Sequence, residues 1–130
     1  MPSYTNITIN DREDTPVAHV FEPHAKEPVP TFMEYGDTLV GNNTLTISAR
    51  ESNGKRRIRM DLKMPTVQTQ NDNGITDPVV VRWAIAQVNF TFDEDSTEQE
   101  RENAVGMIAN ALSASQTDLS AVFIANKNFL

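Results

Sequence analysis

The 130-residue chain contains no cysteine. That absence excludes a disulfide framework, a thiolate metal site and a thiol nucleophile, and it fits a reducing compartment. Long hydrophobic runs are missing too. The longest, Val79 to Ala86, is interrupted by Arg82 and falls far short of the ~20 apolar residues that a helical membrane span needs. The opening MPSYTNITINDRED has neither a basic n-region nor an apolar h-region, so no secretory signal is expected. Aromatic residues are few, at 7%, with a single tryptophan. Positive charge is scarce as well: 11 Lys and Arg stand against 18 Asp and Glu, for a net charge of −7. Taken alone, that balance argues against a nucleic-acid partner. No serine, histidine and acid arrangement, glycine-rich cofactor loop or paired catalytic carboxylates can be argued from spacing, so an enzyme is the weakest of the function classes.

What the chain does have is alternation. In Thr44 to Arg50, Thr44, Thr46, Ser48 and Arg50 share one parity while Leu45, Ile47 and Ala49 share the other. In Arg57 to Met64, Arg57, Arg59, Asp61 and Lys63 oppose Ile58, Met60, Leu62 and Met64. In Ala86 to Asp93, Gln87, Asn89, Thr91 and Asp93 oppose Ala86, Val88, Phe90 and Phe92. A period of two belongs to a strand, so the three segments predict an antiparallel sheet with one apolar side and one wet, arginine-bearing side.

The few cations are not scattered. Six of the 11 (Arg50, Lys55, Arg56, Arg57, Arg59, Lys63) lie within 14 positions, opposed there only by Glu51 and Asp61. The chain is therefore polarised, with a basic sheet face and an acidic remainder.

Around this centre, Tyr4 to Asn10 and Val17 to Glu22 read as a hairpin joined by a polar turn. Pro23, Pro28 and Pro30 read as a stiff connector, and Phe32 to Val40 as a further strand ending at Gly41-Asn42-Asn43. Ser52-Asn53-Gly54 forms the turn of the basic hairpin. QTQNDNGITD, from Gln68 to Asp77, is polar and without periodicity and reads as a surface loop, with Pro78 opening the next strand. After Asp93 the period changes. Ser96-Thr97-Glu98-Gln99 predicts a capping box in which Ser96 accepts from the third helical amide and Gln99 or Glu100 reaches back. Val105, Ile108, Ala109 and Leu112 then form a helical apolar stripe, and Ser115 to Asp118 a second cap. Strands followed by two helices make an α+β chain of one domain: hairpin 1–22, sheet 32–93, helices 96–130.

These residues also carry a resemblance. The segment DPVVVRWAIAQVNFTFDEDSTEQER, Asp77 to Arg101, with PTVQTQ after the basic hairpin and the ending AxxxANxxxL, resembles the coat protein of single-stranded RNA bacteriophages, the levivirus type. The likeness covers roughly 44–130 well, and the first 43 residues in layout only. It implies an amino-terminal β-hairpin, a five-stranded antiparallel sheet and two carboxyl-terminal helices that clasp a second subunit, giving an interlocked homodimer with one continuous sheet. It further implies an icosahedral shell, genomic single-stranded RNA on the inner sheet face, and an RNA hairpin bound as translational repressor. It also implies a phage maturation protein as a further partner and assembly in the bacterial host cytoplasm, with no cofactor and no membrane expected.

By the same resemblance Thr46 and Ser48 fall in a pocket for an unstacked adenine, and Arg50 follows them. Arg57, Arg59, Asp61 and Lys63 belong to the RNA face, with Asp61 in place of a lysine and Arg59 where a small or amide residue is frequent. Ile85, in place of a stacking tyrosine, joins Gln87 and Asn89 on the last strand. Gln70, Asn71, Asp72, Asn73 and Gly74 fall in a loop that gathers around the symmetry axes. An unbroken strand puts Trp83 on the RNA face as a displaced stacking platform; a bulge near Arg82, the preferred reading, turns it into the core or subunit interface. His19 and His24 flank Glu22 in HVFEPH, but Pro23 breaks any regular ligand spacing and no metal is expected. The competing class is a cellular sheet-based RNA-binding module, which would interleave exposed aromatics on that face, where only Trp83 qualifies.

Overall fold

The computed structural model of the chain describes residues 2–36 and 40–129, with Asp72 described through its backbone. The described chain falls into two units, one ending at Thr91 and one beginning at Phe92. Eight elements follow in order: β1 (Ile7–Asn10), β2 (Ala18–Ala25), β3 (Thr31–Glu34), β4 (Asn43–Ser52), β5 (Lys55–Asp72), β6 (Ile75–Asp93), α1 (Glu98–Ala111) and α2 (Thr117–Phe123).

The described strands form one six-stranded sheet in sequential order, β1-β2-β3-β4-β5-β6, rather than the expected five strands beside a separate hairpin. The amino-terminal hairpin is the first pair of that meander because β2 also pairs with β3, Glu22 opposite Met33 and Pro23 opposite Phe32. Pro23 is thus a strand residue and not part of the connector. It is tolerated because the register shifts between Pro23 and Ala25, and at such a bulge a missing N–H does not interrupt the ladder. β3 ends at Glu34, earlier than expected; the rest of that expected strand includes 37–39, which lie outside the described residues.

Two Asn-Gly turns set the long hairpins. Asn53 (φ 55°) and Gly54 (φ 72°) join β4 to β5, and Asn73 (φ 51°) and Gly74 (φ 83°) join β5 to β6. Consecutive positive φ values suit the right-handed twist of the flanking strands, and Asn and Gly adopt them most readily. The expected loop from Gln68 to Asp77 is therefore corrected: β5 continues to Asp72, β6 starts at Ile75, and Pro78 lies inside β6.

The core sits where β2, β3 and β4 meet. Phe21, Phe32 and Leu45 are buried, and Tyr4, Ile7, Ile47 and Leu62 pack against them. Tyr4 sets its ring edge against Phe32 at 5.1 Å between centroids and donates its hydroxyl to the Thr31 carbonyl at 2.8 Å. Further along the same side of β5 the apolar surface opens, with Met60 and Met64 both exposed.

In the second unit α1 is capped one residue later than expected. Thr97 Oγ1 accepts from the Glu100 amide at 3.1 Å and Glu100 Oε2 accepts from the Thr97 amide at 3.2 Å, so Thr97 and not Ser96 closes the box. Ser96 instead accepts from Arg101 through its carbonyl and hydroxyl. The N-cap of α2 is Gln116, without a side-chain cap; Ser115 Oγ pairs with Ser113 Oγ at 2.8 Å, which corrects the expected second cap. Neither helix has a buried residue, and Val105, Ile108 and Leu112 of the apolar stripe are each close to half exposed. A helix of this length depends on tertiary packing for most of its stability.

Candidate nucleic-acid interface

The register of β4 on β5 brings the candidate residues together. Thr44 stands opposite Lys63, Thr46 opposite Asp61, Ser48 opposite Arg59, and Arg50 opposite Arg57. Residues directly opposite in an antiparallel pair share a face, so all seven candidates from Thr46 to Lys63 lie on one side. Leu45 with Leu62, Ile47 with Met60 and Ala49 with Ile58 take the other. One acid of this segment is removed from the site by the same register: Glu51 pairs with Arg56 on the apolar side and accepts from its guanidinium at 3.3 Å. The polar face keeps Arg50, Arg57, Arg59 and Lys63, all exposed, against a single carboxylate, Asp61.

That carboxylate is held by its neighbour. Arg59 Nε donates to Asp61 Oδ1 at 3.0 Å, with the Asp61 side chain 19% exposed and that of Arg59 51%. Among the described residues no carboxylate lies within ion-pair distance of Arg50, Arg57 or Lys63. A row of cations of which three have no such partner suits a polyanion, because phosphates then replace their counterions.

Beside the row lies a recess of about 520 Å3, lined by Thr46, Ser48, Ala49 and Arg50 of β4, Arg59 and Asp61 of β5, and Pro28, Val29 and Pro30 of the connector. The Ile47 amide donates to the Pro30 carbonyl at 3.1 Å and fixes that connector against β4. The connector residues were not among the sequence candidates. Their only signal was a pair of prolines around one valine, which marks a stiff extended segment but not what it lies against.

Other candidates fall elsewhere. Arg57 and Lys63 continue the row outside the recess, and Ile85, Gln87 and Asn89 are exposed on β6 and do not line it. Trp83 is 55% exposed on the uninterrupted strand β6, so it is not a core residue of this chain. Gln70 and Asn71 are exposed at the end of β5, followed by Asp72 and the turn residues Asn73 and Gly74.

The two histidines make local bonds. His19 lies between Asp11 and Glu34, with Nε2 at 2.8 Å from Asp11 Oδ2 and Nδ1 at 2.8 Å from Glu34 Oε2. His24 Nδ1 meets the Tyr35 hydroxyl at 3.0 Å. Hydrogen bonds to Asp11 and then Glu34 raise the His19 pKa above its ordinary 6.5. The Asp11 carboxylate is held below its ordinary value, first by the Val17 amide and then by His19. Among the described residues no group of three or more such side chains is arranged around a metal position.

A family model described as Levivirus coat protein matches residues 2–129. This chain belongs to the levivirus coat protein family. As a coat protein it is a structural component of a virion and not an enzyme. It is 43% identical over 111 residues to the capsid protein of Pseudomonas phage PRR1, across 84% of this chain and 85% of the relative. Its fold is similar to that in the virus-like particle of bacteriophage ESE058, with a TM-score of 0.87 and 22% identity over 99% of this chain and 100% of that one. It is also similar to the capsid protein of bacteriophage GA, with a TM-score of 0.80 and 19% identity over 97% of both chains.

Proposed function

We propose that this coat protein forms an isologous homodimer with a continuous sheet, that dimers close into an icosahedral shell, and that the arginine-bearing face lines the interior and packages single-stranded RNA. The observation that carries the RNA assignment is the β4–β5 register, which gathers four exposed cations and one carboxylate on a single face. A two-fold axis doubles that row into a broad platform for phosphates. Such contacts supply affinity, not sequence, and weaken with salt at a slope of about −0.7 per phosphate for single strands.

Self-association is supported by the sheet order. β6, 19 residues long, stands at one end of the described sheet, and a long end strand is a template for another copy. The half-exposed stripe Val105, Ile108 and Leu112 and the open methionines Met60 and Met64 are apolar surface that a second subunit's sheet and helices would cover. Relatives of this fold described as virus-like particles agree with closure into shells. In that reading Gln70, Asn71, Asp72, Asn73 and Gly74 gather at the symmetry axes, Ile85, Gln87 and Asn89 extend the RNA face, and the assembled coat binds an RNA hairpin and a maturation protein in the host cytoplasm.

The test is the double variant Arg57→Ala with Arg59→Ala. Dimers persist and particles carry less nucleic acid, read from ultraviolet absorbance ratios; an unchanged nucleic-acid content rejects this face as the RNA surface.

A further inference from the structure

We propose that Asn53, at the tip of the β4–β5 hairpin, is a site of spontaneous deamidation, favoured over the chain's second Asn-Gly turn by the charges around it. A succinimide forms when the backbone nitrogen after an asparagine attacks that asparagine's own carboxamide carbon. The reaction therefore needs an unhindered amide nitrogen, a carboxamide free to turn, and solvent. Both Asn-Gly turns supply these. The β4–β5 ladder closes at Ser52 opposite Lys55, which leaves the Gly54 N–H outside it, and Gly74 lies likewise between the last residue of β5 and the first of β6. Glycine puts no Cβ beside the attacking nitrogen, and Asn53, Gly54, Asn73 and Gly74 are all exposed. The Asn53 and Asn73 carboxamides have no hydrogen-bond partner among the described residues, whereas those of Asn42, Asn43, Asn103 and Asn110 are each engaged.

Charge separates the two turns. The attacking species is the glycine nitrogen after hydroxide has removed its proton, so nearby cations favour it and nearby carboxylates oppose it. Asn53 is flanked in sequence by Arg50, Lys55, Arg56 and Arg57 against Glu51 alone, and Glu51 is already engaged by Arg56 at 3.3 Å. No Lys or Arg occurs between Lys63 and Arg82, and the charged residues in that interval are Asp72 and Asp77, on either side of Asn73. In the reaction the Gly54 nitrogen bonds to Asn53 Cγ, the Cγ–Nδ2 bond breaks, and ammonia leaves with a proton taken from water. Water then opens the five-membered ring at either carbonyl, giving aspartate, or isoaspartate in which the main chain runs through Cγ. The sum is amide plus water to carboxylate plus ammonium, with no redox partner. Either product places a carboxylate at the tip of the cationic hairpin. Isoaspartate also adds a carbon to the main chain of a two-residue turn whose length fixes the register of the strands behind it.

The experiment holds the full-length protein, free of RNA, in mildly alkaline low-salt buffer made with water enriched in heavy oxygen, and follows each turn by peptide mass spectrometry. The Asn53 peptide is expected to gain a heavy-oxygen carboxylate about three- to fivefold faster than the Asn73 peptide, the effect of a unit charge a few ångströms away in water. High salt should narrow the gap by screening. Lys55→Gln should slow conversion of Asn53, and Asp72→Lys should speed that of Asn73, each in its own peptide. Equal rates, a faster Asn73 or no conversion of Asn53 overturns the proposal. So does a gap that neither salt nor the two charge variants change, because shielding of one turn in assembled protein, and not charge, would then set it.

Discussion

Arg50 stands directly opposite Arg57 across the β4–β5 ladder, and neither has a carboxylate within ion-pair distance among the described residues. Like charges in that position work against the sheet. A cross-strand pair that opposes its own fold is understandable when a polyanion is the intended counter-charge, so fold stability and RNA content should respond in opposite directions to its removal. Arg57→Glu creates an attractive pair with Arg50 and is expected to stabilise the RNA-free protein by ~0.2–1 kcal/mol at low salt. The same variant should lower the nucleic-acid content of particles. Denaturant titration of RNA-free protein and absorbance ratios of particles check the two halves; equal RNA content in both proteins would sink the argument.

How legible this was depends on burial. Where one face is covered, as at Leu45, the alternation in the sequence predicts the faces of Thr44 to Arg50 and of Arg57 to Lys63, and the ladder pairs those residues like with like. Where neither face is covered, the signal fails. Gln68 to Asn71 and Ile75 to Pro78 are exposed throughout, so nothing selects alternating polarity there, although Asn73-Gly74 repeats the Asn53-Gly54 turn signal. The recess was half legible for another reason. Local periodicity places Thr46, Ser48, Arg50, Arg59 and Asp61 on one face, but Pro28, Val29 and Pro30 reach it through a contact between distant parts of the chain. No local pattern encodes such a contact.

The Asn73-Gly74 turn has its own consequence. Gly74 has φ +83° and nothing within 4 Å of where a Cβ would stand, so any cost of Gly74→Ala is conformational and not steric. The expected loss is about 1 kcal/mol, with Gly74→Asn costing less because asparagine tolerates the left-handed region better. Chemical denaturation of the three proteins checks the order. Equal stabilities would mean that the turn relaxes to another geometry.

At the start of α1 the two hydroxyls of Ser96 and Thr97 are neighbours with unequal work. Thr97→Ala removes the acceptor of the Glu100 amide and should cost about 1 kcal/mol, the usual effect of losing an N-cap. Ser96→Ala leaves the Ser96 carbonyl to accept from Arg101 and should cost less. Thermal unfolding followed by far-ultraviolet circular dichroism checks the ranking, and the reverse order would return the cap to Ser96.

The amino-terminal hairpin has a pH-dependent clasp whose sign follows from two opposed shifts. Asp11 accepts from the Val17 and Glu13 amides, closing the turn, and also meets His19; Glu34 of β3 takes the other imidazole nitrogen and accepts from Asn43 Nδ2 of β4 at 2.7 Å. The His19 pKa is raised above 6.5, so its stabilising effect is fully present below that value and is lost as pH rises through the folded-state pKa. The Asp11 pKa is lowered from 3.8, so its effect is present above 3.8 and is lost as pH falls through the lower folded-state value. The clasp is therefore strongest in mildly acidic solution, between the two transitions. His19→Gln should lower the thermal midpoint most at about pH 5 to 6 and progressively less above neutrality, where the unaltered imidazole has lost its charge. Asp11→Asn should lose the same acidic advantage, because it removes the first partner of the imidazolium. A midpoint difference between His19→Gln and the unaltered protein that stays flat from acid to alkaline pH would mean that His19 supports the hairpin by packing and not by charge.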